Sequence, residues 1–227
     1  MDKIIHLHYN FYTNLKSNLE VKDILEREKI TVLDGFNKNL ELVHRYYQKV
    51  YSTEAKRVIL CGINPGKNGA GKTGIPFLDF RAVSHLLSYI GQDDREQSAQ
   101  FILSIINEIG SESFYRNVYM TNISWFGFTK DGNNLNYYDL PSPLPTIFTD
   151  SFIKEMDIVQ PKVIVPLSKE VEQTLQQMIK NGRLRYPLAE RLPHPYYCSI
   201  GKRATKYKQI YVKKITNLIK NQSNILI

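Results

Sequence analysis

Residues 57–80, RVILCGINPGKNGAGKTGIPFLDF, decide how the fold of this chain is interpreted, because they fit two incompatible patterns. The segment GKNGAGKT, residues 66–73, matches the phosphate-binding loop G-x-x-x-x-G-K-[ST] at every fixed position and follows the apolar run 58–60. The same stretch also contains CGINPG at the end of a predicted strand, then a glycine-rich loop, then GIPF. The choice between the two patterns determines the predicted function.

A phosphate-binding loop requires a helix that begins at its Gly-Lys-Thr, so that amide groups and the helix N-terminus face the phosphates. Pro76 lies three residues after Thr73 and interrupts the first turn of such a helix. A nucleotide hydrolase also needs an acid after an apolar strand to hold magnesium. The other predicted strands are instead followed by Ser124 and Ser168. A P-loop nucleotide hydrolase therefore remains only an alternative.

Three segments, in a fixed order, are similar to the motifs of a known family. GINPGKNGAGKTGIPF, residues 62–77, resembles a G-[IM]-N-P-G turn followed at a set distance by T-G-[VI]-P-F. NVYMTNISWFGFTKDGNNLNYYD, residues 117–139, resembles a strand and loop that carry a base-reading asparagine, and LPHPYY, residues 192–197, resembles a final histidine motif. From about residue 40 onward the chain resembles the uracil-DNA glycosylase superfamily, in particular the single-strand-selective monofunctional branch and its bacterial relatives.

The resemblance implies that Asn64 and His194 are the catalytic residues. The amide oxygen of Asn64 would hold a water, and since an amide is a poor base, the implied reaction is dissociative, with a cationic sugar formed before water attacks. His194, between Pro193 and Pro195, would present a ring donor to the charge that develops on O2 of the base. Asn64 as a turn residue and His194 as a structural histidine are the alternatives.

The resemblance also implies a base pocket. The Asn122 amide complements an imide edge, which has a donor at N3 and an acceptor at O4, and would reject cytosine. The Phe77 ring would stack on the extracted base, a contact worth about 1 to 3 kcal/mol. The alternatives are a polar residue that ends a strand and an ordinary core phenylalanine. The other predicted pocket residues belong to the turn: Gly62, Ile63, Pro65 and Gly66.

Two positions bear on which bases are accepted and how water is activated. Gly66 stands where some superfamily branches have a bulky aromatic, so the resemblance implies that 5-hydroxymethyluracil is accepted together with uracil. Xanthine is a further expected substrate. Thymine would be excluded by another feature, such as an ordered water near Gly66 and Gly69. Asp79 is placed either to assist the water or to bond a backbone amide.

The charge distribution favours a DNA partner. The chain has a net charge of +8, and residues 180–220, around His194, contain eleven Lys or Arg and a single acid, Glu190. Tyrosines interleave with these cations, as in proteins where cations meet phosphates and rings meet bases. A solvated basic helix face is the alternative. The predicted DNA-binding residues are Lys72, Tyr196, Tyr197, Lys202 and Arg203.

The histidine motif departs from the HPS of many superfamily members, since this chain reads HPYYCSIGKR from residue 194. The departure makes the mode of base extrusion an open question. Tyr197 or a nearby residue is expected to fill the stack vacated by the base, while Lys202 and Arg203 hold phosphates.

Composition narrows the class of protein. The chain has 227 residues, contains no apolar run long enough for a membrane helix, and begins without a secretory apolar core, so we expect a soluble intracellular protein. The resemblance to bacterial relatives implies a cytoplasmic bacterial protein that acts on the chromosome. Cys61 and Cys198 are too few for a disulfide framework or for an iron-sulfur or four-cysteine metal site. No metal or organic cofactor is expected, and we expect a monomer.

The pattern of elements predicts an α/β fold: a three-layer α/β/α sandwich with a central, mainly parallel four-stranded sheet. Short apolar strands at 58–61, 118–123 and 163–167 alternate with helices at 81–90, 98–109, 151–159 and 169–180. A helix is also predicted over 30–51. Residues 1–227 are expected to form a single domain with residues 1–30 as an N-terminal arm, in which residues 4–18 pack as an arm or a short helix. Asn64 and Asn122 would then meet at the carboxyl ends of the strands.

These observations lead to three hypotheses. The first is a monofunctional DNA glycosylase that removes uracil and related damaged bases and leaves an abasic site for base excision repair. It is monofunctional because no lysine stands at a motif position for a Schiff base, although Lys72 lies nearby. The second is a non-catalytic binder of modified or single-stranded nucleic acid. It is suggested by the tyrosine loop, the part of the histidine motif in which Tyr196 and Tyr197 replace the residues usual in the superfamily. The third is the P-loop hydrolase.

Overall fold

The structure is a computed structural model that describes residues 2–88 and 90–220. Its strands are β1 (Ile30–Val32), β2 (Val58–Gly62), β3 (Val118–Asn122), β4 (Phe128–Lys130), β5 (Asn133–Leu135) and β6 (Val163–Pro166). Its α-helices are α1 (Asp2–Ser17), α2 (Leu19–Arg27), α3 (Gly35–Lys38), α4 (Leu40–Val50), α5 (Ala70–Thr73), α6 (Phe80–Leu87), α7 (Gln97–Ile109), α8 (Ser111–Asn117), α9 (Leu144–Val159), α10 (Lys169–Lys180), α11 (Pro195–Ser199) and α12 (Arg203–Lys220). A 3₁₀ turn spans Tyr137–Asp139.

A parallel sheet in the order β3-β2-β6 forms the centre of the molecule. Every residue of β2 and β3 is buried. Because successive side chains of a strand point to opposite faces, both faces of this sheet are covered, as is usual for parallel sheets. The three predicted strands are confirmed to within one residue at each end.

The predicted fourth strand is not confirmed, since the parallel sheet has three strands among the described residues. The segment 187–189 runs beside β6 but forms only a single bridge, in which Ile164 donates to the carbonyl of Pro187 and accepts from the N–H of Ala189. Proline has no N–H to donate, and Pro187 and Pro193 limit how far this segment can extend a ladder.

A second, antiparallel sheet in the order β1-β4-β5 stands beside the first. Its β4–β5 hairpin turns at Asp131 and Gly132, which both have positive φ, at 50° and 75°. Asp-Gly is a strong hairpin signal because it accepts that conformation readily. The sequence pattern carried this signal, but the predictions did not include the hairpin.

Residues 1–30 were predicted as an N-terminal arm, with an arm or a short helix over residues 4–18, and residues 2–27 form two helices, α1 and α2, whose buried side chains belong to the core. Ile4 and Ile5 are buried at 1% and 2% exposure. The buried His8 ring stacks on Trp125 with centroids 3.7 Å apart, and its Nε2 lies 3.3 Å from Oε2 of Glu155. These contacts bind α1 to α9 and to the loop after β3.

The helix predicted over 30–51 is also wrong, because β1, α3 and α4 divide this segment. The break lies where α3 packs against α5. A side chain at Gly35 would collide with the carbonyl oxygens of Gly71 and Lys72. The Asn39 amide donates to the carbonyl of Lys72 at 2.8 Å. The helix is therefore interrupted at the point where the segment contacts the glycine-rich loop.

The remaining predicted helices are found with adjusted ends. The helix predicted at 151–159 begins earlier, at Leu144, while that at 169–180 matches α10 at both ends. The helix predicted at 81–90 ends at Leu87, and its position 89 lies outside the described residues. In the described part of the chain, no helix combines the length and apolarity needed to cross a bilayer.

Candidate active site

A cavity of about 420 Å³ opens at the carboxyl ends of β2 and β3. It contains most of the predicted pocket residues, together with others that were not predicted. The predicted residues are Ile63, Asn64, Pro65, Gly66, Phe77, Asn122, His194 and Tyr196, and the additional ones are Asn68, Gly69, Ala70, Glu96, Ser98, Asn134 and Asn136. Gly62, the last residue of β2 and also a predicted pocket residue, does not line the cavity but lies against two residues that do, Asn122 and Phe77.

Asn64 is held by the segment that follows the hairpin. Its Nδ2 donates to the carbonyl of Leu135 at 3.2 Å, and its Oδ1 accepts the N–H of Tyr137 at 3.0 Å. A weaker bond of 3.3 Å joins Nδ2 to Pro65, within the same turn. The amide plane is thus fixed by residues more than seventy positions away, and Oδ1 keeps a second lone pair for a water.

Gly62 lets Asn122 and Phe77 come together. A Cβ at this position would collide with Oδ1 of Asn122 and lie 2.7 Å from Cζ of Phe77. Asn122 is 3% exposed and ends β3, whose register places it opposite Gly62. The amide and the aromatic ring therefore occupy the volume that any larger residue would take.

Phe77 has a left-handed backbone, with φ of 65°. A positive φ is costly for an aromatic residue, and such strain clusters at functional sites. Thr73 supports the turn, because its buried hydroxyl donates to the carbonyl of Leu78 at 2.7 Å and accepts the N–H of Ile75 at 3.1 Å. The threonine of the apparent phosphate loop is therefore used to place Phe77.

The lysine and the short helix of the apparent phosphate loop also have structural roles within the protein. Helix α5 has only four residues, ends at Thr73, and is followed by the C-cap residue Gly74, whose φ is 75°. Nζ of Lys72 lies 2.9 Å from Oδ2 of Asp94, and Lys72 does not line the cavity. Its predicted contact with a phosphate near the pocket thus requires that it leave Asp94.

His194 is the N-cap of α11 and is positioned by three elements. The preceding segment is tied to β6, since the N–H of Leu192 donates to Pro166 at 2.9 Å. The hydroxyl of Tyr211, on α12, donates to the carbonyl of Pro193. The N–H of Tyr196 donates to Nδ1 of His194 at 3.2 Å, so Nε2 carries the proton of the neutral ring.

The electrostatics favour that neutral ring. Burial lowers the pKa of His194 below its ordinary value, and the nearby carboxylates Glu96 and Glu170 only partly oppose the shift. A neutral histidine with its proton on Nε2 is a hydrogen-bond donor that carries no charge of its own.

Asp79 serves the second of its two predicted roles. It is fully buried, and its carboxylate accepts the N–H groups of Ala82 and Glu96, each at 2.7 Å, and the Nε2 of Gln100 at 3.0 Å. It thereby caps α6 and joins that helix to α7. It does not line the cavity. The alternative of direct assistance to a water does not fit this arrangement.

Glu96 is the acid that does line the cavity. Its Oε2 accepts the N–H of Ala99 at 2.8 Å as the N-cap of α7, and it also accepts the hydroxyl of Ser98. Its side chain packs against Gly69, where a Cβ would lie 3.1 Å from Cγ. The sequence offered only a capping signal here, with no sign that this acid faces the pocket.

The two tyrosines of the histidine motif have different surroundings. Tyr196 is 53% exposed and stands at the mouth of the cavity. The Tyr197 ring lies 4.3 Å beneath the guanidinium of Arg203 and meets Tyr207 edge-on. Tyr196 is therefore the ring next to the pocket, whereas Tyr197 is packed against α12.

Ion pairs reduce much of the positive charge of residues 180–220. Five of its cations pair with acids: Arg183 with Asp150, Arg185 with Asp157, Arg191 with Glu172, Lys208 with Glu108, and Lys214 with Glu190. Within the described residues, Lys202, Arg203 and Lys206 have no acid partner. Lys180, Lys213 and Lys220 have no acid partner in that part of the chain either, but Lys202, Arg203 and Lys206 lie close together in sequence at the start of α12, next to Tyr196 and Tyr197.

The two cysteines are buried thiols, and the described residues contain no cluster of metal-ligating side chains. Burial raises the pKa of the Cys61 thiol, and that of Cys198 to about 11, so both remain protonated at neutral pH. Across residues 2–88 and 90–220, no three His, Cys, Asp or Glu side chains form a group that could hold a metal ion.

The chain is similar to known proteins over most of its length. The model of the uracil DNA glycosylase superfamily matches residues 48–216, a range that contains every cavity residue. Among solved structures, the crystal structure of wild-type SMUG2 from Pedobacter heparinus is 28% identical, with a TM-score of 0.69, and the match covers 86% of this chain and 89% of that one. No protein among the curated sequences matches the chain.

Proposed function

Because this chain belongs to the uracil DNA glycosylase superfamily, we propose that it is a monofunctional DNA glycosylase that hydrolyses the bond between uracil and deoxyribose. The observation that carries the proposal is the convergence of Asn64, Phe77, Asn122 and His194 on one cavity. Membership of the superfamily and the likeness to SMUG2 support glycosylase activity in base excision repair, with DNA as the partner.

The target nucleotide leaves the base stack and places its base in the cavity, as chemistry on a base requires. The Phe77 ring offers one face for stacking. The Asn122 amide faces the imide edge, accepting from N3–H through Oδ1 and donating to O4 through Nδ2. Cytosine presents an acceptor at N3 and a donor at C4, so it would meet both groups of Asn122 with the wrong polarity.

Cleavage breaks the bond between C1′ and N1, and the electron pair of that bond stays with the base. Negative charge spreads from N1 onto O2, where Nε2–H of His194 donates to it. His194 is neutral before the reaction, and its Nε2–H donor is already fixed in position, so it stabilises the developing charge by a hydrogen bond. The sugar becomes an oxocarbenium cation.

A water then adds to C1′. Oδ1 of Asn64 uses one lone pair for the N–H of Tyr137 and has another to orient that water. An amide does not take up a proton, so the proton of the attacking water passes to solvent through the open cavity. The products are a free base, protonated from solvent, and an abasic site.

The proposed substrates are uracil first, with 5-hydroxymethyluracil and xanthine as further bases. Gly66 supports the acceptance of a group on C5, because a Cβ there would lie 3.6 Å from Nδ2 of Asn134 and open space remains beside it. One chain supplies every cavity residue, so we propose that the protein acts as a monomer.

The test is base release from end-labelled oligonucleotides that contain one uracil, 5-hydroxymethyluracil, xanthine or cytosine, followed by alkaline cleavage at abasic sites. We expect release of uracil and no release of cytosine. If the protein binds these oligonucleotides and releases none of the bases, it is a non-catalytic binder of nucleic acid. If instead it binds nucleotides and loses that affinity in Lys72→Ala, the P-loop hypothesis is correct.

A further inference from the structure

A second cavity, of about 480 Å³, lies at the end of the parallel sheet opposite to the base cavity. Its lining includes Ser52 and Thr53, which precede β2, and Tyr115 and Arg116, which precede β3. The two strands are parallel and have five residues each, so they span about 16 Å between this cavity and their carboxyl ends. Among the described residues, no residue lines both cavities.

A buried arginine holds two walls of this second cavity together. Arg57, just before β2, is 2% exposed. Its Nη2 donates to the carbonyl of Thr53 at 2.7 Å, and its Nη1 donates to the carbonyl of Ala55 at 3.1 Å. Its Nε donates to the carbonyl of Tyr115 at 2.9 Å. Because Thr53 and Tyr115 both line the cavity, the guanidinium fixes the loop before β2 against α8.

The charge of Arg57 is not balanced by an acid. Buried charges in proteins are usually paired, and an arginine keeps its charge over the whole pH range in which proteins are folded. Within residues 2–88 and 90–220, Arg57 forms no ion pair with a carboxylate, and its partners are carbonyl oxygens and the ring of Tyr51. A fixed positive charge therefore lies behind the lining of the cavity.

Three more basic side chains line the cavity, and each comes from a different helix: Lys49 from α4, His85 from α6 and Arg116 from α8. Lys49 has no acid partner in the part of the chain that the structure describes. The one acid of the lining, Glu112, pairs with Arg116 at 2.7 Å, and both side chains are exposed. Exposed pairs of this kind contribute little, so an anionic ligand can replace Glu112 as the partner of Arg116.

The neutral residues of the lining suit a ligand that is larger than a simple anion. The hydroxyls of Ser52, Thr53 and Ser111 are donors for phosphate oxygens. Val50 and Leu86 add apolar surface. The volume of the cavity is within the range of small-molecule sites, about 300 to 1,000 Å³. The cavity therefore combines cations and hydroxyls with room for a group attached to the anion.

We propose that this cavity is a binding site for a phosphate monoester, with a nucleoside monophosphate as the class of ligand. A monoester phosphate carries between one and two negative charges at neutral pH and has three acceptor oxygens. Lys49 and Arg116 donate charge-assisted hydrogen bonds to it, while Arg57 contributes its charge from behind the lining. A free nucleotide and the phosphorylated 5′ end of a DNA strand both carry this group.

Isothermal titration calorimetry with deoxycytidine 5′-monophosphate, inorganic phosphate and deoxycytidine tests the site. Cytosine is chosen because Asn122 disfavours it, so that the signal does not come from the base cavity. The nucleotide and phosphate should bind, and deoxycytidine should bind much more weakly. Lys49→Ala and Arg116→Ala should each weaken binding of the nucleotide about tenfold, as expected for one lost charge-assisted hydrogen bond.

The matched control is Arg45→Ala. Arg45 is an exposed cation one helical turn before Lys49 on α4, and it does not line the cavity. Its affinity for the nucleotide should equal that of the wild type. The inference is overturned if the nucleotide does not bind at about 10 mM, if deoxycytidine binds equally well, or if Lys49→Ala and Arg116→Ala keep the wild-type affinity. An equal loss in Arg45→Ala and Lys49→Ala would also overturn it, since the face would then be diffusely basic.

The source of the phosphate is distinguished with a deoxycytidine oligonucleotide that carries either a 5′-phosphate or a 5′-hydroxyl. A gain in affinity from the phosphate that Lys49→Ala removes would identify the DNA end as a ligand, and equal affinities would leave the free nucleotide. Uracil release by Lys49→Ala should stay at the wild-type rate. Because binding at this cavity is measured without base release, it stands or fails independently of the proposed glycosylase function.

Discussion

The backbone N–H of Tyr196 donates to Nδ1 of His194 at 3.2 Å, so the residue after the proline determines which ring nitrogen carries the proton. The same bond caps α11, a helix of five residues. A protonated ring would carry a hydrogen on Nδ1 and oppose this N–H. Burial lowers the pKa of His194 in the same direction, so local geometry and desolvation both maintain the neutral donor.

The first prediction concerns pH. The pKa of His194 is lowered below the ordinary histidine value of about 6.5, so the ring is neutral at pH 6.5 and above. The single-turnover rate should therefore be level from about pH 8 to about pH 6.5. It should fall only at lower pH, as the ring becomes cationic and the bond from Tyr196 is lost. The folded state also binds this proton less readily than the unfolded state, so stability should decline over the same acidic range. A rate that rises as the pH falls through about 6.5 would show that the cation is the active form.

The second prediction compares two glycines of the same turn. Gly62→Ala should reduce the rate of uracil release about 100-fold or more, since its methyl group displaces Asn122 and Phe77 together. Gly66→Ala should stay close to the wild-type rate, because its Cβ meets only Asn134, at 3.6 Å. Single-turnover assays on a uracil oligonucleotide measure both. Equal rates in the two variants would mean that the contacts at Gly62 do not organise the pocket.

The third prediction assigns Asp79 to stability. Asp79→Ala removes the cap of α6 and leaves the N–H of Glu96 without its acceptor, which should cost about 2 to 4 kcal/mol of unfolding free energy. Urea denaturation measures this loss. The rate of the folded Asp79→Ala protein should fall much less than that of Asn64→Ala. A loss of rate as large as that of Asn64→Ala, with stability unchanged, would restore a direct role in activating water.

The fourth prediction places the DNA contact at the start of α12. Lys202→Ala with Lys206→Ala should weaken binding to single-stranded DNA and reduce the slope of log affinity against log salt by about 0.7 for each lost phosphate contact. Lys213 and Lys220 lie further along the same helix, and their double alanine variant is the charge-matched control. Fluorescence anisotropy at several salt concentrations gives both slopes. The same reduction in both variants would indicate a diffuse basic face.

The sequence was sufficient for the elements whose signal is local. The family resemblance, based on three ordered motifs, is confirmed by the superfamily match over residues 48–216. The strands around Asn64 and Asn122 were predicted because short apolar runs end in polar residues there. The prolines near Thr73 correctly predicted that α5 could not continue as a phosphate-binding helix.

The failures arose where distant contacts decide the structure. The break at Gly35 exists because α3 packs against the glycine-rich loop, and no local pattern marks that contact. Glu96 and Asn134 enter the cavity only through the positions of α7 and the hairpin. Charge counting located the basic segment around His194 but overestimated its field, because five of its cations form ion pairs, four of them with acids outside the segment.

The most direct test of the central claim is the single-turnover rate of uracil release by the wild type, Asn64→Ala and His194→Ala on one single-stranded oligonucleotide. Loss of the water-orienting amide or of the donor to O2 should each lower that rate about 100-fold or more, while the protein remains folded and binds the oligonucleotide. A wild-type rate in either variant would contradict the role assigned to that residue, and the absence of uracil release by the wild type would contradict the account as a whole.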